Sequence, residues 1–424
     1  MAQASYSSSP DTAVSSTTVV PTAQRTFGFT DHASLWFSLG VGLLVIQVGA
    51  YLLPGLSAPQ ALLAVVLGSL LGSGLLAWVA AIGCRHGLSS SALIGRSLGQ
   101  HFAVLPVGLN VLQLLGWTAF ELVVMRDGTS AIAGELFGFK AAWLPTVATL
   151  VWGALLLGLA NGSMTGLVRR FVKHAGLPLV IASLCWLSWQ FGSRVAALSF
   201  DAWWSRPGDG SMGMLSAIDL VIAMPVSWLP LVADYARYGR HTGSALRGTW
   251  IGYAVANIWC YTLGVMVVST APAGADLVAT LLLAQGGLIA LGLILVDEAD
   301  NAYGDVHSGA VSTNFLTERV SIRGAGMVLA VIATGCALVL PMHSLEPFLL
   351  MLSSIFVPLF GVVISQLAEG LPASRSVRWG PALVWLLGIA CFHVCAQLAP
   401  AWGSALPSLA LTLVLGRLVR GRSA

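Results

Sequence analysis

Apolar runs of the roughly 20 residues needed to cross a bilayer recur about twelve times along the chain. They fall at 34–53, 59–83, 103–125, 142–160, 174–193, 214–234, 249–270, 280–306, 324–341, 346–367, 379–398 and 404–419. Each run predicts a membrane-spanning helix, and the polar residues between them give the helices a direction. With a cytoplasmic N-terminus, the inside set of Lys and Arg comprises Arg25, Arg85, Arg96, Arg169, Arg170, Lys173, Arg237, Arg240, Arg247, Arg319, Arg323, Arg375, Arg378, Arg417, Arg420 and Arg422. The outside set is Arg126, Lys140, Arg194 and Arg206. Sixteen against four follows the rule that cytoplasmic loops collect positive charge. A missed helix would scramble this alternation downstream, so the bias supports both the count and a topology with both termini inside.

Two of the runs are interrupted. The first carries Gly40, Val41, Gly42, then Gln47 and Gly49; the sixth reads AMPVSWLPLVAD, with Pro225 and Pro230 in its interior. Proline removes a backbone donor and clashes with the carbonyl four residues back, so this pair opens or kinks the helix between them. Freed backbone groups at membrane depth are tolerated where they line a cavity or a site. First and sixth positions correspond if helices 1–5 and 6–10 are inverted repeats, and paired broken helices point to a transporter's binding site. The plain alternative is a proline kink, with glycines for close packing. Gln47, Ser227 and Trp228, beside the breaks, are candidate substrate-binding residues.

In the third run, NVLQLLGWTAFELVV, Gln113, Trp117 and Glu121 recur every four residues and share one helix face, with Gly116 thinning the neighbouring surface. An aromatic plane one turn before a carboxylate suits a flat heterocycle: indole stacks on its face, and the carboxylate accepts from a ring or exocyclic N–H. Asp234, with Tyr235, Arg237 and Tyr238, sits at the cytoplasmic end of the sixth run, where a helix-end ion pair or loop contact is expected.

The eighth run leads into VDEADNAYGDVHS, Val296 to Ser308. On a continuing helix, Asp297, Asp300, Asn301, Gly304, Asp305 and Ser308 occupy about half of the circumference. Charges at that depth cost roughly 2.5–3.5 kcal/mol each on insertion scales and mark an ion or substrate path. The alternative ends the helix at Val296 and leaves the acids in an exposed loop. Asp297, Glu298 and Asp300 are candidate ion-coupling residues, Asn301 a substrate ligand, and Asp305 and His307 are placed towards the cytoplasmic exit.

Composition agrees: 57 % hydrophobic, 9 % charged and a mean hydropathy of +0.85, where soluble domains are about a quarter charged. A net charge of +3 without a basic aromatic patch gives no nucleic-acid signal. Cys84, Cys185, Cys260, Cys336, Cys391 and Cys395 lie in or beside apolar runs with no CxxC pair, as core thiols do. Residues 1–24, rich in Ser, Thr and Ala, lack the regions of a secretory signal. The sequence has no Walker-type loop, no His cluster at metal spacing, and no nucleophile with a base. It therefore reads as no enzyme, without cofactor, drawing on an ion gradient for uphill transport.

NVLQLLGWTAFE (Asn110 to Glu121), MPVSWLPLVADYARYGR (Met224 to Arg240) and DVHSGAVS (Asp305 to Ser312) together resemble the nucleobase:cation symporter-1 family, most closely its hydroxymethylpyrimidine and cytosine permease branch. The resemblance implies an all-α polytopic membrane protein of about 12 helices with the leucine-transporter fold: two inverted five-helix repeats plus two peripheral helices. Composition and the placing of the apolar runs give a disordered cytoplasmic tail at 1–30, a core over 31–370 (repeats at about 31–193 and 214–367), peripheral helices at 379–419 and a tail at 420–424. The resemblance also implies a site between helices 1, 3, 6 and 8 and symport, by a monomer of the inner membrane, of a nucleobase-like heterocycle with Na+ or H+. Trp117 matches the stacking tryptophan, and Glu121 falls where relatives place a polar side chain. Sodium-using members offer a Ser/Thr pair where Asp300 and Asn301 stand, and carboxylates this close cannot all carry charge cheaply, so proton coupling or a cationic substrate is expected. A transporter of amino acids or other amines, and a membrane sensor, stay open as alternatives.

Overall fold

In hydrocarbon every backbone polar group must find its partner inside the protein, which leaves long apolar segments helix as their available form. The computed structural model describes residues 15–162, 176–272, 277–282, 284–340 and 345–420. Arg169, Arg170, Lys173 and Arg422 from the charge count lie outside them. Within the described residues, all twelve apolar runs are built from helix. The first run is α1 (Phe29–Ser38) plus α2 (Leu43–Ala50), followed by α3 (Ala58–His86), an added short α4 (Ser90–Leu98), α5 (Val104–Phe137), α6 (Leu144–Ala160), α7 (Leu177–Ala197) and α8 (Phe200–Ser205). The second half gives α9 (Met214–Ser227) plus α10 (Leu229–Ala236), α11 (Thr242–Thr270), α12 (Leu277–Leu282), α13 (Gly287–Leu316), α14 (Ile322–Val339), α15 (Leu345–Leu367), α16 (Trp379–Leu398) and α17 (Ala405–Arg420). Among the described residues, six helices are long and apolar enough to span by themselves, and the two bent pairs raise this to eight. Of the others, α6 has 17 residues, α17 has 16, and α13 carries the acidic stretch.

Two groups of helices form the core. The broken first span, α3, the broken sixth span and α11 pack on one another, whereas α5, α6, α13 and α14 form the second group. α15, α16 and α17 pack together against α9 and α4 at the side. The two broken spans face the second group, and the chamber described below lies between the groups.

The breaks have local causes. α1 and α2 meet at 64° across Leu39 to Gly42, and α9 and α10 at 40°. Pro225 has no N–H for the carbonyl of Val221, and the Tyr261 hydroxyl of α11 donates to that oxygen at 3.1 Å. The Gln113 amide likewise donates to the Ser227 carbonyl at 3.1 Å. Gly72 of α3 gives the Pro225 ring its room, since a Cβ there would lie 2.4 Å from Cγ of the proline.

Three expectations need correcting. The eighth span does not stop at residue 306, still less at Val296: α13 runs to Leu316, because its acidic face turns into the protein while its apolar face carries the helix on. The segment 1–30 is not a loose tail throughout. Residues 1–14 lie outside the described residues, but α1 begins at Phe29, and the stretch before it is hydrogen-bonded to the bundle. Val20 N–H donates to Gly87 C=O (2.9 Å), Phe27 N–H to Tyr238 C=O (3.0 Å), and Ser16 Oγ to Asn314 Oδ1 (2.9 Å). Not every cysteine is a core thiol either: Cys84 and Cys260 are buried, but Cys185 is exposed on α7.

Candidate functional site

α5 carries Trp117 and Glu121 one turn apart, and both enter a closed chamber between the helix groups. Its other walls are Leu39, Gly42, Leu44 and Val45 from the first span, Met224, Ser227 and Trp228 from the sixth, and Glu298, Asn301 and Asp305 from α13. The space open to the centres of water molecules is about 20 Å³, room for a water or so, so a ring enters only when the walls part. A larger cleft of about 440 Å³ opens between Gly55–Gln60 and Trp204–Met214. It holds Arg206 but no carboxylate and none of the predicted site residues, which makes the small chamber the candidate site.

The aromatic walls are fixed by packing. Trp117 lies edge-on to Phe348 at 5.2 Å, in the room that Gly116 leaves. Trp228, at the break of the sixth span, lies edge-on to fully buried Trp36 at 6.0 Å. These contacts hold two indoles at the chamber without using their polar atoms on each other, and Trp117 Nε1 is buried with no partner.

The break in the first span is stitched to α13. Asn301 Nδ2 donates to the carbonyl of Val41 at 3.0 Å, and Glu298 Oε1 accepts from the N–H of Leu43, the first residue of α2, at 2.5 Å. A carboxylate at a helix N-terminus meets unsatisfied N–H groups and the positive end of the helix dipole. Asp297 accepts from the Ser38 hydroxyl at 3.0 Å at the end of α1. Three polar residues of α13, Asp297, Glu298 and Asn301, thus hold the two half-helices of the first span.

Most of the predicted residues meet here, and five residues are placed differently. Gln47 does not line the chamber, because its amide donates to the Tyr51 hydroxyl one turn on, at 2.6 Å. Gln113 lies behind the wall, where its amide bridges Asn110 and the Ser227 carbonyl. Asp297 is buried at the break rather than in the chamber, and half-buried Asp300 is likewise not a wall residue. Asp305 is no exit residue: it is 2 % exposed and lines the chamber. Since α13 continues for eleven residues beyond it to Leu316, Asp305 lies well inside the helix, and its place on the acidic face was the signal for it. His307 packs against the rings of Tyr235 and Tyr303 instead. Asp234 accepts from the N–H of Ser90, the first residue of α4 (2.9 Å), so the contact is with a helix start rather than a loop.

Polar capacity in the chamber is lopsided. Ser227 Oγ already donates to Met224 C=O (2.7 Å), whereas Glu121 Oε2 and Asn301 Oδ1 are buried acceptors with no partner. Among the described residues, no Lys, Arg or His lines the chamber. Among the described residues no group of His, Cys, Asp and Glu is arranged to hold a metal ion.

Comparison with known proteins places this arrangement in context. The family described as "Permease for cytosine/purines, uracil, thiamine, allantoin" matches residues 19–368. Cytosine permeases of Escherichia coli K12 and O157:H7 are each 26 % identical over 370 residues, covering 76 % of this chain and 86 % of the relative. Among solved structures, Mhp1, a nucleobase-cation-symport-1 transporter in a closed conformation with bromovinylhydantoin bound, superposes with a TM-score of 0.77 at 15 % identity, covering 96 % of this chain and 95 % of Mhp1. A Na+-coupled sialic acid symporter gives 0.63 at 10 % identity, covering 94 % and 91 %. The fold is therefore the all-α, polytopic leucine-transporter fold, and the proteins that share it here are transporters rather than enzymes.

Proposed function

The chain belongs to the permease family for cytosine/purines, uracil, thiamine and allantoin, the nucleobase:cation symporter-1 family, and from that premise we propose that it imports a flat, nitrogen-rich heterocycle across the inner membrane. The substrates in view are a hydroxymethylpyrimidine, a thiamine-related pyrimidine and cytosine. The observation that carries this reading is a closed chamber bounded by Trp117, Glu121, Ser227, Trp228 and Asn301, with helix breaks on two sides. The indoles take the ring faces and the polar side chains its edges. The positive charge bias puts both termini in the cytoplasm, and the transporter works as a monomer.

Coupling falls to the α13 carboxylates, with the proton favoured over Na+. Glu298 and Asp297 meet the broken first span as carboxylates held by hydrogen bonds, so gain or loss of a proton there alters the junction itself. Uptake of radiolabelled pyrimidines in cells expressing the protein tests both halves. Trp117→Ala and Glu121→Gln should each abolish most uptake, and unaffected uptake in both would sink the site. A protonophore should abolish uptake while Na+ removal leaves it intact, and the reverse pattern assigns the coupling to sodium. Accumulation and counterflow in proteoliposomes separate a transporter from a membrane sensor.

A further inference from the structure

We infer that Glu121 and Asp305 act together as a carboxylate pair that reads the amidine edge of the ring, N–C–NH2, so that the site takes amino-substituted heterocycles and rejects their oxo counterparts. This rests on the chamber being the substrate site, and it adds a residue, Asp305, and a rule of selection to that reading.

The argument starts from which polar atoms the protein has already used. The Asn301 amide nitrogen is committed to Val41 C=O, Glu298 to the N–H of Leu43, and the Ser227 hydroxyl to Met224 C=O. At the walls, Glu121 Oε2 and Asn301 Oδ1 remain as unpartnered acceptors against the single unpartnered donor of Trp117 Nε1. Glu121 and Asp305, 3 % and 2 % exposed, enter from the adjacent helices α5 and α13. With no cationic side chain among the described wall residues, the open oxygen of Glu121 is left for a ligand that brings an N–H group.

An aminopyrimidine edge has that pattern. Its amino group donates to one carboxylate, and its ring nitrogen, once protonated, donates to the other, so two parallel, charge-assisted hydrogen bonds form. An oxo ring presents a carbonyl where the amino group would be, setting acceptor against acceptor and leaving buried carboxylate oxygen unpaired. A site whose buried polar groups are left unpaired rejects the wrong ligand far more strongly than one that merely loses contact area.

The test is equilibrium binding to the purified full-length protein in detergent, by calorimetry or thermal shift. The probes are cytosine against uracil and an amino-hydroxymethylpyrimidine against its oxo counterpart, with ethanolamine as a non-aromatic amine. The wild type should bind the amino member of each pair at least about tenfold more tightly. Glu121→Gln and Asp305→Asn, each checked for an unchanged melting profile without ligand, should shrink that ratio to about threefold or less. Trp117→Phe should weaken both members of a pair alike. Equal or tighter binding of the oxo rings by the wild type overturns the inference, as does a ratio preserved in both carboxylate variants. Should amino and oxo rings both fail to bind the folded protein, the heterocycle reading falls and this inference with it. Ethanolamine binding alone would make the chamber an amine site.

Discussion

Gly42 owes its place to a carboxylate. A Cβ there would lie 2.9 Å from Glu298 Oε1 and 3.5 Å from Asn301 Nδ2, so the residue must be bare for α13 to reach the broken span. Gly42→Ala should push the carboxylate off the Leu43 N–H, costing about 1–3 kcal/mol by overpacking and reducing uptake; melting in detergent and an uptake assay on the same preparation check both effects. Trp117 and Glu121 were legible from their spacing because both sit inside one uninterrupted helix, where four residues mean one face. Gln47 was not, since the sequence does not reveal that Tyr51 captures its amide. Asp305 lay on the acidic face all along, but its depth depends on where α13 ends, and sequence reading is weakest at helix ends.

For an element, the telling case is the sixth span, whose two prolines signal a break and whose repair is hidden. The Val221 carbonyl, deprived of a partner by Pro225, is served by Tyr261 from another helix, a pairing that no local pattern encodes. Tyr261→Phe should leave that buried oxygen unpaired and destabilise the protein by about 1–3 kcal/mol, read as a lower melting temperature with the chamber residues untouched. An unchanged melting point would mean that water or backbone relaxation serves the carbonyl instead. The first span shows the same division. Its glycines announced the interruption, whereas the partners that fix it, Glu298 and Asn301, lie more than 250 residues away.

Across the whole molecule, the apolar runs carried most of the architecture, because a bilayer converts hydropathy directly into helices, whereas the charge alternation adds an orientation that labelling tests. The orientation predicts that, in intact cells, an impermeant maleimide labels a cysteine placed at Lys140 but reaches one placed at Arg375 only after permeabilisation. These two assays are run in a background without native cysteines, and the opposite pattern inverts the topology. What hydropathy could not convey is how the two groups of helices are joined at their ends. The segment from Ser16 to Phe27 is tied to Asn314 at the end of α13 in one group, and to Gly87 and Tyr238 beyond α3 and α10 in the other. If the groups swing against each other during transport, this short length of chain must stretch or unhook on every turnover. The Val20 amide, held by Gly87 C=O at 2.9 Å, then serves as a built-in clock: its deuterium uptake should quicken when substrate sets the cycle running and slow when the cycle is arrested.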